Sequence, residues 1–268
     1  MYRVARFAAR FDFKVEKNTI LMMNELKGEL NTLSKERVFT EFRKALNTKN
    51  PEKFFNVLKD ANVLEVHFKE IYDLIGAEQP LKYHPEGDSY NHTMLALKNI
   101  TKLTDDEVVR FCTLVHDLGK GTTPKDMYPH HYGHEKRGVE PLRNLSNRLG
   151  IPNEWYNSGK IAVLEHMRGG NFFELTPAKK VDFLTRVEKS KLGLSGLQMV
   201  VYADRYRGEG SIVSKDEYNF QKIGEEMISE IDGKYIEKKY RIKPGIEFGR
   251  KLREERIRWI RNREESKE

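Results

Sequence analysis

Cysteine is nearly absent from this chain. Its one thiol, Cys112, excludes an internal disulfide. It sits in the apolar run Phe111-Cys112-Thr113-Leu114-Val115 and reads as a small core residue. Long hydrophobic runs are also missing. None is long enough to span a bilayer, and the N-terminus lacks a secretory apolar region, so the expected compartment is the cytoplasm, with no membrane partner. Strand signals are sparse, with few alternating β-branched runs and no Asn-Gly or Asp-Gly hairpin. Acids are outnumbered: 48 Lys and Arg face 41 Asp and Glu, a formal net charge of +7. Such a balance either favours polyanions, nucleotides or RNA, or simply keeps the protein soluble.

What is present is helical. The 268 residues suffice for one large domain or two small ones, and 33% are charged, which suits long amphipathic helices with solvated faces. Helical spacing runs through residues 1–26. Ser34 caps a second helix with Val38, Phe39, Phe42 and Leu46 on its apolar side. Asn50-Pro51 starts another, with Phe54, Phe55 and Leu58 behind it. Gln79-Pro80 to Asp88 is a loop. Helical segments follow near 90–100, 105–117, 134–149, 153–167, 177–190 and 195–206. Gly150-Ile151-Pro152-Asn153 and Thr176-Pro177 act as stop and start signals. Gly208 to Gly210 closes this block. A helix is expected from about Asp216 to Ile231, and an arginine-rich one from about Ile246, with Leu252, Ile257 and Ile260 apolar. The expectation is an all-α protein with a helical region over 1–70, a central domain over 71–210 and a basic helical tail over 211–268.

Seven of the eight histidines lie between residues 84 and 166. The sharpest signal is His116-Asp117-Leu118-Gly119-Lys120 at the end of the apolar run. Imidazole and carboxylate hold divalent metals, and a bound metal makes hydroxide available at neutral pH. His92 and Asp204 are the best further ligands for the His116–Asp117 pair. Asp204 follows the apolar stretch Met199 to Ala203, where a carboxylate without a partner is costly. His134 and His166 are candidates for a second metal, with Asp117 as the bridge, or for substrate contacts. Mixed nitrogen and oxygen ligands suit nickel, manganese, cobalt, iron or zinc, and magnesium less naturally. Lys120 is placed to stabilise phosphoryl charge, alongside Asp117 as a catalytic candidate. Arg137 and Arg205 are candidate phosphate contacts. The bland alternatives are core histidines held by hydrogen bonds and a surface lysine at a helix end. His84, His130 and His131 read as residues behind the metal ligands, substrate-side residues or plain loop residues, Glu135 and Glu165 as capping or solvated acids.

These residues resemble the HD superfamily of metal-dependent phosphohydrolases. More closely, Lys82-Tyr83-His84-Pro85-Glu86, Asp88, His92-Thr93, His116-Asp117-Leu118-Gly119-Lys120-Gly121, Thr123-Pro124 and His130-His131-Tyr132-Gly133-His134 resemble the HD domain of bacterial CCA-adding tRNA nucleotidyltransferases. Arg3 to Phe11 is similar to the segment that follows that family's nucleotidyltransferase head and Glu36 to Glu41 to its neck motif; Phe54 to Leu58 and the arginine-rich C-terminal helix also fit the family. The family's Gly-Ser and paired-aspartate motifs do not occur, nor does its Glu-Asp-x-x-Arg template. The resemblance therefore implies phosphoester hydrolysis of the 2′,3′-cyclic phosphodiesterase, 2′-nucleotidase or phosphatase type, on a nucleotide or an RNA 3′ end, rather than CCA addition. It also implies a second possibility: a tRNA-binding body that works with a separate nucleotidyltransferase head. Since HD domains also act on signalling nucleotides, an alarmone is a third kind of substrate.

Overall fold

The computed structural model describes residues 1–82, 84–206 and 219–266. Tyr83, the 207–218 segment and the last two residues lie outside this description. With them go the expected stop at Gly208 to Gly210, the 210/211 boundary and the Asp216 helix start. The chain is all-α. Among the described residues no strand forms, and one isolated bridge joins Glu78 to Asp88.

The N-terminal helices are α1 (Tyr2–Phe11), α2 (Lys17–Glu25), α3 (Lys35–Leu46), α4 (Glu52–Asp60) and α5 (Leu64–Tyr72). The helical stretch expected over 1–26 is two helices, because Asp12 turns left-handed at φ 60 and ends α1. Ser34 caps α3 as expected, its hydroxyl accepting from the Arg37 amide. The sequence reading missed α5. Its nine residues are too few to display a period, and Phe68 kinks it with φ −122 and ψ 42.

Next come α6 (Ser89–Ile100), α7 (Glu107–Val115), α8 (His134–Arg137), α9 (Val139–Leu149), α10 (Asn153–Gly170), α11 (Pro177–Glu188) and α12 (Gly193–Arg205). Asp106 caps α7 by accepting from the amides of Val108 and Val109, so this helix starts later than periodicity suggests. It also ends earlier, at Val115. The segment expected over 134–149 is divided at Gly138. The chain ends in α13 (Phe220–Glu230), α14 (Gly233–Tyr240) and α15 (Ile246–Glu265). Of these, α14 was not foreseen; Asp232 caps it through the Tyr235 amide.

One core runs through both halves. Phe42, Phe54, Phe55 and Phe68 are fully buried. They meet edge to face or tilted, with centroids from 5.2 Å for Phe54–Phe55 to 6.2 Å for Phe42–Phe55. Such pairs contribute beyond the area they bury. Around the site, α7 packs against α6, α10 and α12. Gly159 lets α10 come close, since a Cβ there would lie 3.0 Å from the Phe111 ring. In the tail, Ile260 is buried while Leu252 and Ile257 are half-buried. Arg253 pairs with Asp182 of α11 at 2.7 Å. The apolar face of α15 is therefore completed by paired charges. No helix among the described residues is long and apolar enough to cross a membrane.

Arg110 fastens the N-terminal helices to the histidine-bearing ones. It is 2% exposed. Its Nη1 donates to the carbonyls of Leu46 at 2.8 Å and Thr48 at 3.1 Å, at the end of α3. Its Nε donates to the Thr104 carbonyl and its Nη2 to Asp105. Buried carbonyls deprived of a donor cost their desolvation. Arg110→Met is therefore expected to lower the free energy of unfolding in urea by about 2–3 kcal/mol.

Candidate metal centre

The α-helix ends just before His116-Asp117, a correction to the expectation that the pair occupies consecutive helical positions. Asp117 has φ −108 and ψ 11 and leads into a 3-10 turn, Leu118–Thr122. The change of direction turns both side chains toward one cavity. Gly119 makes this possible. A Cβ on it would fall 1.9 Å from the His134 carbonyl oxygen and 2.7 Å from the Gly138 nitrogen. Only a glycine lets the turn lie backbone to backbone against α8, which carries His134.

Six side chains from five helices and this turn meet here. His92 comes from the first turn of α6, His116 and Asp117 from the end of α7, and His134 from the start of α8. His166 comes from α10 and Asp204 from the end of α12. All four imidazoles and Asp117 are buried, and the Asp204 side chain is 14% exposed. Asp117 divides the group. Its Oδ2 lies 3.5 Å from His92 Nε2 and 3.3 Å from His116 Nε2. Its Oδ1 lies 3.2 Å from His134 Nε2 and 3.4 Å from His166 Nε2. Asp204 Oδ1 closes the first set, 2.9 Å from His92 Nε2 and 3.6 Å from His116 Nε2.

Each imidazole is oriented through its other nitrogen. His116 Nδ1 meets the Thr113 carbonyl at 2.7 Å, His134 Nδ1 the His131 carbonyl at 2.8 Å and His166 Nδ1 the Ala162 carbonyl at 3.0 Å. A carbonyl only accepts, so these nitrogens carry a proton and the Nε2 atoms are left facing the carboxylates. His92 Nδ1 lies 2.7 Å from Glu86 Oε1, the same arrangement with a carboxylate. His134 Nε2 and His166 Nε2 are 3.3 Å apart. His116 Nε2 and Asp117 Oδ1 are buried without a hydrogen-bond partner, while Asp117 Oδ2 meets the Lys120 ammonium. Two ligand atoms bound at right angles about 2.1 Å from one ion lie roughly 3 Å apart. The observed separations are close to that value, so the residues present fit a divalent ion, with Asp117 able to serve two.

The electrostatics agree. Burial raises the Asp117 carboxyl, yet the Lys120 and His116 charges outweigh it and hold the group well below the usual carboxylate range. Asp204 is likewise held low against burial by His116 and His92. Burial lowers His116, but Asp117 and Asp204 overcome it and push the imidazole up to about 10. Burial draws His166 down. The two carboxylates are thus held ionised in a buried pocket by the positive groups around them.

Above the cluster opens a cavity of about 950 Å³, whose walls include Lys82, His84, His130, Tyr132, Glu135 and Arg205. Lys120 is 7% exposed, with Nζ 2.6 Å from Asp117 Oδ2 and 2.6 Å from Gln79 Oε1. Arg205 lines the cavity and donates to Asn171 Oδ1 at 2.9 Å. Arg137, expected at phosphate, is not among the lining residues; its guanidinium holds Thr122, Thr123 and the Tyr132 carbonyl. Glu165, expected to be capping or solvated, is buried between Arg168 and Arg186. His131 is an anchor, meeting Thr123 Oγ1 at 2.9 Å and the Glu78 carbonyl at 2.8 Å. Sequence reasoning overlooked Gln79 and the orienting role of Glu86. The only hint was an acid between Pro85 and Gly87 in the loop leading to His92.

A family model described as HD domain matches residues 89–192, which include His92, His116, Asp117, His134 and His166 but not Asp204. A second, described as the probable RNA and SrmB-binding site of polymerase A, matches residues 12–74. The chain is similar to proteins named multifunctional CCA protein. The one from Mannheimia succiniciproducens is 44% identical over 196 residues, 69% of this chain and 47% of the relative. The one from Shewanella denitrificans is 42% identical over 75% of this chain and 51% of the relative. The one from Haemophilus influenzae is 41% identical over 80% and 54%. The chain thus spans about half the length of these relatives.

Glu86 touches both His84 and His92 and is itself held below the ordinary carboxylate range by them, against burial. Losing a carboxylate behind a metal-binding imidazole typically costs about 10- to 100-fold in metal affinity. Glu86→Ala is expected to weaken manganese or nickel binding by that factor, measured by titration against a competing chelator.

Proposed function

We propose, for a chain that is an HD-domain relative of the multifunctional CCA proteins, that this centre binds divalent metal and hydrolyses phosphoesters of nucleotides or RNA 3′ ends. The observation that carries the reading is the division of Asp117, one oxygen toward His92 and His116, the other toward His134 and His166. Two-metal clamps for phosphoester hydrolysis use this kind of shared carboxylate.

A divalent ion held there lowers the pKa of water and draws electron density from a phosphoryl oxygen. His92, His116, Asp117 and Asp204 would hold one ion, and Asp117, His134 and His166 would hold another. The carbonyl partners of the Nδ1 atoms keep the imidazoles from turning away. Lys120 keeps its contact with Gln79 and offers an ammonium to the charge that develops on phosphate. Arg205 at the wall presents a second cation to the substrate. Burial of the cluster excludes bulk water and strengthens these interactions.

A panel of 2′,3′-cyclic nucleotides, 2′- and 3′-nucleotides and alarmones, assayed with added nickel, cobalt, manganese or magnesium, tests the reading. Asp117→Asn is expected to cut metal-dependent hydrolysis at least about 100-fold while far-UV circular dichroism stays unchanged. Full activity in that variant would falsify the proposal.

A second reading is favoured by one specific observation, the RNA-binding family model over residues 12–74. With a net charge of +7, the chain can serve as a tRNA-binding body for a separate nucleotidyltransferase head. Affinity for tRNA is then expected to fall steeply with salt, about 0.7–0.9 in log–log slope per phosphate neutralised. CCA addition on mixing with a head would support this reading, and failure to retain tRNA at low salt would remove it.

A further inference from the structure

We propose that Tyr132 and His130 form a stacking platform for a nucleobase at the mouth of the cavity, so that the centre favours nucleotides over base-free phosphate esters. This rests on the phosphoester reading above and deepens it by naming the residues that hold the base. The platform is built around an anchor. All three residues 130–132 line the cavity, but His131 is buried, 8% exposed, and pinned to Thr123 and to the Glu78 carbonyl. Its neighbours His130 and Tyr132 are exposed. Their rings stack on each other, with centroids 5.4 Å apart and planes at 19°. Tyr132 is nevertheless 72% exposed. A large aromatic ring backed by another and open to solvent in a binding cavity can take up a flat apolar partner.

The loop is also held in place. Arg137 donates from Nη1 to the Tyr132 carbonyl and from Nη2 to Thr123 Oγ1 at 2.8 Å. Gly133, at φ 73, turns the chain into α8, and the His134 amide donates back to the His131 carbonyl at 3.1 Å. Arg137 therefore frames the platform. A ring whose backbone is already fastened loses little freedom when a base covers it.

The same cavity carries complementary chemistry. Lys82, Lys120 and Arg205 line it with cations suited to phosphate, and Asp117, His134, His166 and Asp204 of the imidazole–carboxylate cluster also line it. A volume of about 950 Å³ accommodates a nucleotide. Stacking uses the face of a base rather than its edge, so the platform accepts all four bases with similar affinity.

The test is calorimetric titration of the full chain, in the presence of a chelator that stops metal-dependent turnover, with 3′-AMP and with ribose 5-phosphate, for wild type, Tyr132→Ala and Tyr132→Phe. The wild type is expected to prefer 3′-AMP. Tyr132→Ala should reduce the ratio of the two affinities about tenfold, within the range that base–aromatic stacking gives on alanine substitution. Tyr132→Phe should keep the ratio. An unchanged ratio in Tyr132→Ala, or no wild-type preference for 3′-AMP, overturns the platform. Because binding is read without turnover, a wild type that shows the preference but hydrolyses nothing would sink the phosphoester reading and leave the platform standing.

Discussion

Asp117 remains ionised although only 1% of it meets solvent. A charge in such a place has to be met from all sides, or it would take up a proton. Here Lys120 meets it directly, and four imidazole nitrogens face it or its neighbour Asp204. Each approach requires a different element to arrive at one point. The termination of α7 beneath the pair, the glycine contact between the 3-10 turn and α8, and the close passage of α10 at Gly159 all serve that convergence. The helical bundle is thus organised around a small volume that an all-apolar core would not need.

The remainder of the molecule supports this volume by ordinary means. Phenylalanines from α3, α4 and α5 join the core that continues past α7. Arg110 ties the end of α3 to the start of α7 with carbonyl acceptors that would otherwise be buried without donors. The C-terminal helix docks through paired charges. Tyr235, Lys239 and Tyr240 meet the buried Glu255, and Arg256 meets the Ile231 carbonyl. In a tail this rich in charge, burial is tolerated because each inward charge has a partner.

How far the site was legible varied with the kind of residue. His92, His116, His134, His166 and Asp204 could be singled out, because imidazoles gathered in one stretch and an acid after an apolar run are chemically unusual. The contacts of Arg137, Glu165 and Gln79 were not legible. Arginine, glutamate and glutamine serve surfaces, buried pairs and sites alike, and the partner decides which. Gln79 acquires its role only by meeting Lys120, 41 residues away. The short helices α5 and α14 were illegible for a related reason: eight or nine residues do not show a helical period clearly.

The chain's own chemistry determined that the protein is helical, that it has no internal disulfide, and that histidines and acids would cluster after residue 84. Those are properties of residue type and spacing, which act locally. Tertiary structure alone decided which oxygen of Asp117 faces which imidazole, which imidazole nitrogen is left to bind, and that Tyr132 stays uncovered beside His130. Such outcomes depend on angles between elements brought together from distant positions, and a linear sequence carries no such angles until packing sets them.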